Sequence, residues 1–117
     1  MRAIKKYPSV AFAVIVEPGV IGEVVTNLDL SSCEPVRRLW RQNVPLALKG
    51  LELPNVVTYM DAAHGGWLGW RDNQRAGAKE IVNAWESAGE LKQFRGIAIN
   101  VASYNSWLVV LYDKREP

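Results

Sequence analysis

The stretch VVTYMDAAHGGWLGW, residues 56–70, decides the fold of this chain and indicates where its site lies. It begins with an apolar run that is typical of a buried strand and that ends at the carboxylate of Asp61. Three glycines, His64, Trp67 and Trp70 follow, and this composition predicts a loop. A loop that holds flat aromatic rings beside polar groups is typical of a carbohydrate-binding site, because the rings stack on a pyranose while polar groups bind its hydroxyls.

Three other apolar runs predict further strands, at residues 11–16, 96–101 and 108–112, beside the strand at residues 56–60. None of these runs alternates between apolar and polar residues, which suits parallel strands covered on both faces. The sequence therefore predicts a parallel sheet of three to four strands.

Two amphipathic stripes between these runs predict helices. The sequence SSCE at residues 31–34 predicts a capping box before the first helix, although Pro45 conflicts with that helix at a cost of about 3 kcal/mol. The second helix is expected to end at Gly89. Trp40 and Trp85 are expected in the core. The first stripe comprises Val36, Leu39, Trp40, Val44 and Ala47, and the second comprises Ala78, Ile81, Val82, Trp85 and Ala88.

The alternation of strands and helices predicts an α/β fold that resembles half of a barrel or a small open sheet. In such folds ligands bind beyond the carboxyl ends of the strands. Several chemically useful residues fall at these predicted ends, namely Glu17, Asp61, the loop at residues 64–70, Tyr104 and Asp113.

Composition excludes several classes of function. The 117 residues suggest one domain, and a formal charge of +2 with scattered basic residues argues against nucleic acid as a partner. No apolar run approaches about 18 residues, so no membrane span is expected, and residues 1–8 contain no apolar core of a secretory signal. A single cysteine, Cys33, allows no internal disulfide. No metal or other cofactor is expected.

Three motifs occur along the chain: VIVEPG (residues 14–19) followed by VTNL (25–28), LPNV continuing to WLGW (53–70), and RGIAINVASYN (95–105). In this order they resemble glycoside hydrolase family 6, the cellobiohydrolases and endoglucanases that cut β-1,4-glucan. The resemblance extends from about Ala3 to Trp107 and implies part of a distorted (β/α) barrel. It divides the chain into a partial catalytic domain at residues 1–107 and an unmatched tail, with a possible extra strand, at residues 108–117.

The resemblance implies an inverting β-1,4-glucanase, in which a carboxylic acid protonates the leaving oxygen while water attacks from the opposite face. In the family this acid is the aspartate of a Glu-Pro-Asp motif, and Gly19 stands at that position here. Glycine cannot donate a proton, so a contribution of roughly 10²–10⁴-fold is lost. Glu17 is expected to point away from the site. We therefore expect hydrolysis of cellulose and cello-oligosaccharides to be weak or absent.

Other positions carry over from the family one by one. The resemblance implies that Asp61 supports the active site, and that Ser103 replaces a sugar-binding asparagine. Ala63 replaces a glycine, which strains the loop if its backbone needs a positive φ. The residues expected to bind β-1,4-glucan or cello-oligosaccharide are His64, Trp67, Trp70, Ser103 and Tyr104.

A complete family domain is longer, and its first strand carries a second essential aspartate and a cysteine that pairs with the one that Cys33 resembles. Neither precedes the matching segment here. The family is secreted, although this chain shows no signal peptide. Open strand edges in such a fragment predict self-association.

Three readings of the function stay open: an impaired family 6 glucanase, a non-catalytic glucan-binding remnant that uses the Trp67 and Trp70 rings, and an active glucanase that uses Asp61 or Asp113 in new roles. A flavodoxin-like nucleotide-binding module is disfavoured, because no glycine-rich phosphate loop follows the first strand.

Overall fold

The computed structural model describes residues 2–27 and 29–102. Ser103, Tyr104, Asp113 and the predicted strand at residues 108–112 lie outside the described residues. Along the chain, the elements are α1 (Arg2–Lys6), β1 (Phe12–Val16), α2 (Val20–Thr26), a 3₁₀ turn (Ser31–Cys33), α3 (Glu34–Gly50), β2 (Val56–Asp61), α4 (Gly65–Leu68), α5 (Arg71–Ser87) and β3 (Phe94–Ala98).

The strands of the described part form one parallel sheet in the order β1-β2-β3. β1 and β2 pair in register, with Phe12 opposite Val56, and the pairing of β2 with β3 shifts between Thr58 and Tyr59. The long helix α3 links β1 to β2, and α5 links β2 to β3. The prediction of an α/β fold with a parallel sheet is therefore confirmed.

The buried core joins the sheet to α2, α3 and α5. Trp40 is 5% exposed, as expected, whereas Trp85 is half-buried and donates from Nε1 to the Leu91 carbonyl at 3.3 Å. The core comprises Val16, Ile21, Val24, Val25, Trp40, Val44, Leu48, Met60, Ala62, Ile81, Ala84 and Ala88.

The apolar stripe predicted on α3 is partly wrong. Val36 and Leu39 are each half exposed, and Leu48 is buried in place of Ala47. Burial on α3 follows positions 40, 44 and 48, because only one narrow ridge of this helix faces the core. On α5 the predicted stripe is likewise wider than the buried one, since residues 78 and 82 are exposed.

The predicted capping box at residues 31–34 is also wrong. The two serines lie in the 3₁₀ turn, and α3 has Cys33 at its N-cap with no side-chain hydrogen bond. Pro35 lies in the first turn, where its fixed φ favours helix initiation. The helix continues through Pro45, which is buried. Tertiary packing thus offsets the local cost of a proline, which removes the helical donor for the Arg41 carbonyl.

The largest differences in element boundaries concern β3 and α5. β3 spans Phe94–Ala98 instead of residues 96–101, because Asn100 has a left-handed backbone that ends the extended conformation. α5 begins at Arg71, well before the predicted stripe, and Gly89 follows its end with a φ of 88°. The short helices α1, α2 and α4 are additional to the predicted elements.

An ion pair connects α3 to α5. Glu80 on α5 is 7% exposed and accepts from Arg41 Nε at 3.0 Å, and a second contact joins Arg41 Nη2 to the other carboxylate oxygen. This hydrogen bonding raises the pKa of the Arg41 guanidinium above its ordinary value, and the nearby Glu80 charge adds to the effect. The guanidinium therefore stays charged across the working pH range. The buried carboxylate of Glu80 thus keeps a charged hydrogen-bonding partner.

Apolar side chains also remain on the surface, among them Ile15, Ile97, Ile99 and Val101. Within residues 2–27 and 29–102, the outer edges of β1 and β3 pair with no further strand. In the same ranges no helix combines the length and the apolar character needed to cross a bilayer.

Candidate functional site

Each strand is followed within two residues by a residue with left-handed backbone. Glu17 (φ 53°) follows β1, Ala63 (φ 65°) follows β2 and Asn100 (φ 60°) follows β3. For a residue with a side chain this conformation costs about 1–2 kcal/mol. The condition under which Ala63 would strain the loop, a positive φ, is therefore met. Such strained residues concentrate at functional sites, and here they lie at one edge of the sheet.

Asp61 ends β2 and connects two of these strand ends. It is 3% exposed, and its Oδ2 accepts hydrogen bonds from the backbone N–H of Gly19 at 2.9 Å and of Ala63 at 3.3 Å. Its other oxygen, Oδ1, is buried and has no partner within the part of the chain that the structure describes. Asp61 therefore holds the loop after β1 against the loop after β2 and keeps one acceptor oxygen free.

The loops after β2 and β3 are joined by backbone hydrogen bonds. Ala62 N–H donates to the Ala98 carbonyl at 2.8 Å, and Asn100 N–H donates to the Ala63 carbonyl at 2.9 Å. With the Asp61 contacts, these bonds connect the three strand-end loops to one another.

Gly19, where the resemblance predicts the family's general acid, is the N-cap of α2 and has a φ of 89°. A Cβ atom here would lie 3.2 Å from the Cβ of Ala102. Both the backbone conformation and this close approach favour glycine. The position offers a backbone N–H to Asp61 and no side chain to a substrate.

His64 follows the Ala63 turn and is the N-cap of α4. Its carbonyl accepts from the N–H groups of Trp67 and Leu68 at 3.0 and 2.8 Å, which starts this short helix. The imidazole is half-buried, and its Nδ1 has no hydrogen-bond partner in the described part of the chain. A buried imidazole nitrogen of this kind is available to a bound polar group.

Trp67 is half-buried and packs against the core. Its Nε1 donates to Thr26 Oγ1 at 2.7 Å, and its ring lies against Gly22 on α2 and Gly77 on α5. A Cβ atom at position 77 would lie 3.2 Å from the ring, so Gly77 makes room for the indole. Trp67 is thus fixed between two helices.

Trp70 is the N-cap of α5 and is 66% exposed. It does not line the cavity formed by the other predicted residues. Its ring is exposed on the outer surface near the N-terminus of α5. It does not share a cavity with Asp61 and His64.

A cavity of about 370 Å³ lies at these strand ends. It brings together four positions singled out from the sequence, Gly19, Asp61, His64 and Trp67, and it also includes Ala63. Its remaining lining residues come from α2, a helix that the sequence reading missed: Gly22, Glu23, Thr26 and Asn27. They stand three, four, seven and eight residues after Gly19. This spacing is typical of one face of a helix, so it could have indicated α2 from the sequence.

The described residues contain no group of three or more His, Cys, Asp or Glu side chains placed to hold a metal ion. Glu23, Asp61 and His64 all line the cavity, yet they do not form such a group.

Comparisons with known proteins agree with this arrangement. The family model described as Glycosyl hydrolases family 6 matches residues 1–116. This match extends past residue 107, and the boundary between residues 107 and 108 stays a prediction. The 1,4-beta-D-glucan cellobiohydrolase CEL6C of Podospora anserina is 49% identical over 104 residues, which are 89% of this chain and 26% of that relative.

Solved structures give the same result. Cellobiohydrolase II (Cel6A) from Humicola insolens, in complex with glucose and cellotetraose, has a TM-score of 0.83 and 37% identity, covering 93% of this chain and 30% of that one. The catalytic core of Cel6A from Chaetomium thermophilum has a TM-score of 0.84 and 33% identity, covering 99% and 33%. These neighbours are barrel-like, and the sheet described above is consistent with part of such a barrel. The chain spans about a quarter to a third of their lengths. The chain belongs to glycosyl hydrolase family 6.

Proposed function

We propose that this chain binds β-1,4-glucan chains in the cavity at the strand ends and hydrolyses them weakly or not at all. The observation that carries the proposal is the convergence of Asp61, His64 and Trp67 on one cavity, in a fold shared with a cellobiohydrolase whose complex contains glucose and cellotetraose. A volume of about 370 Å³ lies within the range of small-ligand sites.

Free hydrogen-bonding atoms support sugar binding. Asp61 Oδ1 and His64 Nδ1 are both buried without partners in the described part of the chain. A buried polar atom without a partner costs about 1–3 kcal/mol, and a sugar hydroxyl can bind to either atom. The indole of Trp67 supplies an apolar surface beside them.

The two tryptophans are proposed to have different roles. Trp67 is held in place by Thr26, so its contribution is a fixed apolar wall of the cavity. Trp70 is mostly exposed. It contributes a stacking surface for a further glucose unit of a glucan chain that continues out of the cavity. Ser103 and Tyr104, which lie outside the described residues, stay predictions as substrate contacts.

Impaired hydrolysis follows from the chemistry at the acid position. Gly19 has no proton to donate, and its N–H is already bound to Asp61 Oδ2. That oxygen also accepts from Ala63, so it is occupied by structural hydrogen bonds. Without a positioned acid, protonation of the leaving oxygen depends on solvent, and a factor of roughly 10²–10⁴ in rate is lost.

Two further parts of the proposal concern the chain as a whole. The open edges of β1 and β3 and the exposed apolar residues on the sheet favour self-association. Export from the cell is proposed from the family alone, because glucan substrates lie outside the cell.

The test is a titration with cellotetraose followed by tryptophan fluorescence, with a product assay and a urea unfolding curve on the same sample. We expect cooperative unfolding, saturable quenching and little product. His64→Ala should weaken binding, whereas Trp85→Phe, which alters a tryptophan away from the cavity, should leave the affinity unchanged. A cooperatively folded chain with no response to cellotetraose would overturn the proposal, and rapid product formation would overturn the part that concerns hydrolysis.

A further inference from the structure

We infer that the cavity selects a β-1,4-linked amino sugar, an oligomer of glucosamine, over a neutral glucan, and that Glu23 is the residue that sets this preference. The inference rests on the proposed function, since it assigns a substrate class to the same cavity. It adds a specificity residue that the sequence motifs did not indicate.

The charge of the cavity wall is the first observation. Glu23 and Asp61 line it, and among the described residues no lysine or arginine does so. The ion pairs of the described residues are Arg37 with Glu34 and the α3–α5 pair, and neither reaches the cavity. Within residues 2–27 and 29–102, the two carboxylates of the cavity therefore have no cationic partner. A ligand that carries positive charge would compensate them.

The placement of Glu23 is the second observation. It lies in the first turn of α2, one helical turn after Gly19, and is therefore on the side of the helix that faces the missing acid. Asn27, a further turn along, donates from Nδ2 to Glu23 Oε2 at 2.8 Å. This bond orients the carboxylate, and Oε1 accepts no hydrogen bond from the described residues.

The free oxygen of Asp61 is the third observation, and it points to a ligand independently of the charge count. Asp61 is almost fully buried and lines the cavity, yet Oδ1 has no hydrogen-bond partner among the residues that the structure describes. Buried carboxylate oxygens are normally hydrogen-bonded, so an unpartnered one indicates a missing donor. A hydroxyl or an ammonium group of the ligand would supply it.

Glucosamine fits these observations because it differs from glucose only in carrying an amine at C2. A β-1,4 chain of glucosamine keeps the shape and the apolar ring face that Trp67 can contact. Its protonated amine adds a charge-assisted hydrogen bond, which is roughly twice as strong as a neutral one. The gain is limited by solvent, because Glu23 is exposed.

The experiment measures the affinity of the full chain for a glucosamine tetramer, for cellotetraose and for the fully N-acetylated tetramer, at constant near-neutral pH and at low and high salt. We expect the glucosamine tetramer to bind roughly five- to tenfold more tightly than cellotetraose, equivalent to about 1–1.4 kcal/mol. The N-acetylated tetramer carries nitrogen at C2 without charge and should show no such preference. High salt should reduce the preference, since exposed charges are screened.

Glu23→Gln keeps the acceptor for Asn27 and removes the charge, so it should abolish the preference for the glucosamine tetramer over cellotetraose. Glu52→Gln, at an exposed carboxylate before the amino end of β2, is the matched control and should keep the preference. Equal affinities for the charged and neutral tetramers, or a preference that survives in Glu23→Gln, would overturn the inference and leave the proposed function intact. Failure of all three oligomers to bind would overturn the proposed function and the inference with it.

Discussion

Replacing Gly19 with aspartate, the residue that the family resemblance predicts as the acid at this position, should destabilise the chain and should not restore hydrolysis. Gly19 has a φ of 89°, and a Cβ atom there would lie 3.2 Å from the Cβ of Ala102. The chain contains a matched position, because Gly89 has a φ of 88° and a Cβ atom there would meet nothing within 4 Å. Alanine at position 89 therefore reports the backbone conformation alone, and alanine at position 19 adds the contact with Ala102.

The magnitudes follow from these two terms. A left-handed backbone costs a residue with a side chain about 1–2 kcal/mol. Loss of glycine's freedom in the unfolded chain offsets about 0.4–1 kcal/mol of this. We expect Gly89→Ala to lower the free energy of unfolding by about 0.5–1 kcal/mol. Gly19→Ala should lower it by about 1–2 kcal/mol, because Ala102 is exposed and can partly move away.

Gly19→Asp should lower the free energy of unfolding by about 1–3 kcal/mol, because its carboxylate also comes close to that of Asp61. Gly19→Asn is the uncharged control and should be less destabilising. Urea unfolding followed by tryptophan fluorescence measures all four variants, and release of reducing sugar from a soluble β-glucan measures activity. Equal losses for Gly19→Ala and Gly89→Ala would refute the contact with Ala102. Substantial hydrolysis by Gly19→Asp would mean that the backbone at this position still accommodates an acid, and it would refute the prediction.

Three further predictions use the same urea measurement. Ala63→Gly should raise the free energy of unfolding by about 0.5–1 kcal/mol, because it relieves a left-handed backbone. The control Ala62→Gly, at a buried position, should lower it by about 1 kcal/mol. A lower free energy of unfolding in Ala63→Gly would contradict this prediction. Asp61→Ala should lower it by about 2–4 kcal/mol by leaving two backbone N–H groups without an acceptor, and Asp61→Asn, which keeps an acceptor, by clearly less. Arg41→Met should lower it by about 1–2 kcal/mol by leaving the buried carboxylate of Glu80 unpaired, and no measurable loss would mean that solvent already satisfies that carboxylate.

The parallel sheet could be predicted from the sequence, because the apolar runs at β1 and β2 are short, continuous and bounded by polar or turn-forming residues. Helix α3 shows where such patterns are insufficient. The serines at positions 31–32 suggest an earlier start and Pro45 suggests an interruption, yet the helix runs from Glu34 to Gly50. Packing of Trp40, Val44 and Leu48 against the core determines this helix. Single-residue helix propensities do not include the energy of such tertiary packing.

The candidate site was predictable where chemistry is concentrated in one motif, as for Asp61 and His64. Glu23 was not, because it stands in a short helix whose apolar residues blend with the preceding strand in the sequence. The role of Trp67 as a ring fixed between Gly22 and Gly77 also depends on a contact between distant segments. Trp70, three residues after Trp67 in the same motif, nevertheless lies outside the cavity, since helix α5 begins directly after it.

The hydrogen bonds among the three strand-end loops have a consequence for how the site opens and closes. The amide hydrogens of Gly19, Ala62 and Asn100 belong to loops, yet each is bound to a neighbouring strand end or to the buried Asp61. Their exchange with solvent deuterium should therefore be as slow as that of the sheet, because they become accessible only when the sheet itself opens. The cavity and the sheet would then form one cooperative unit, and a ligand would meet a floor that is already ordered before it arrives.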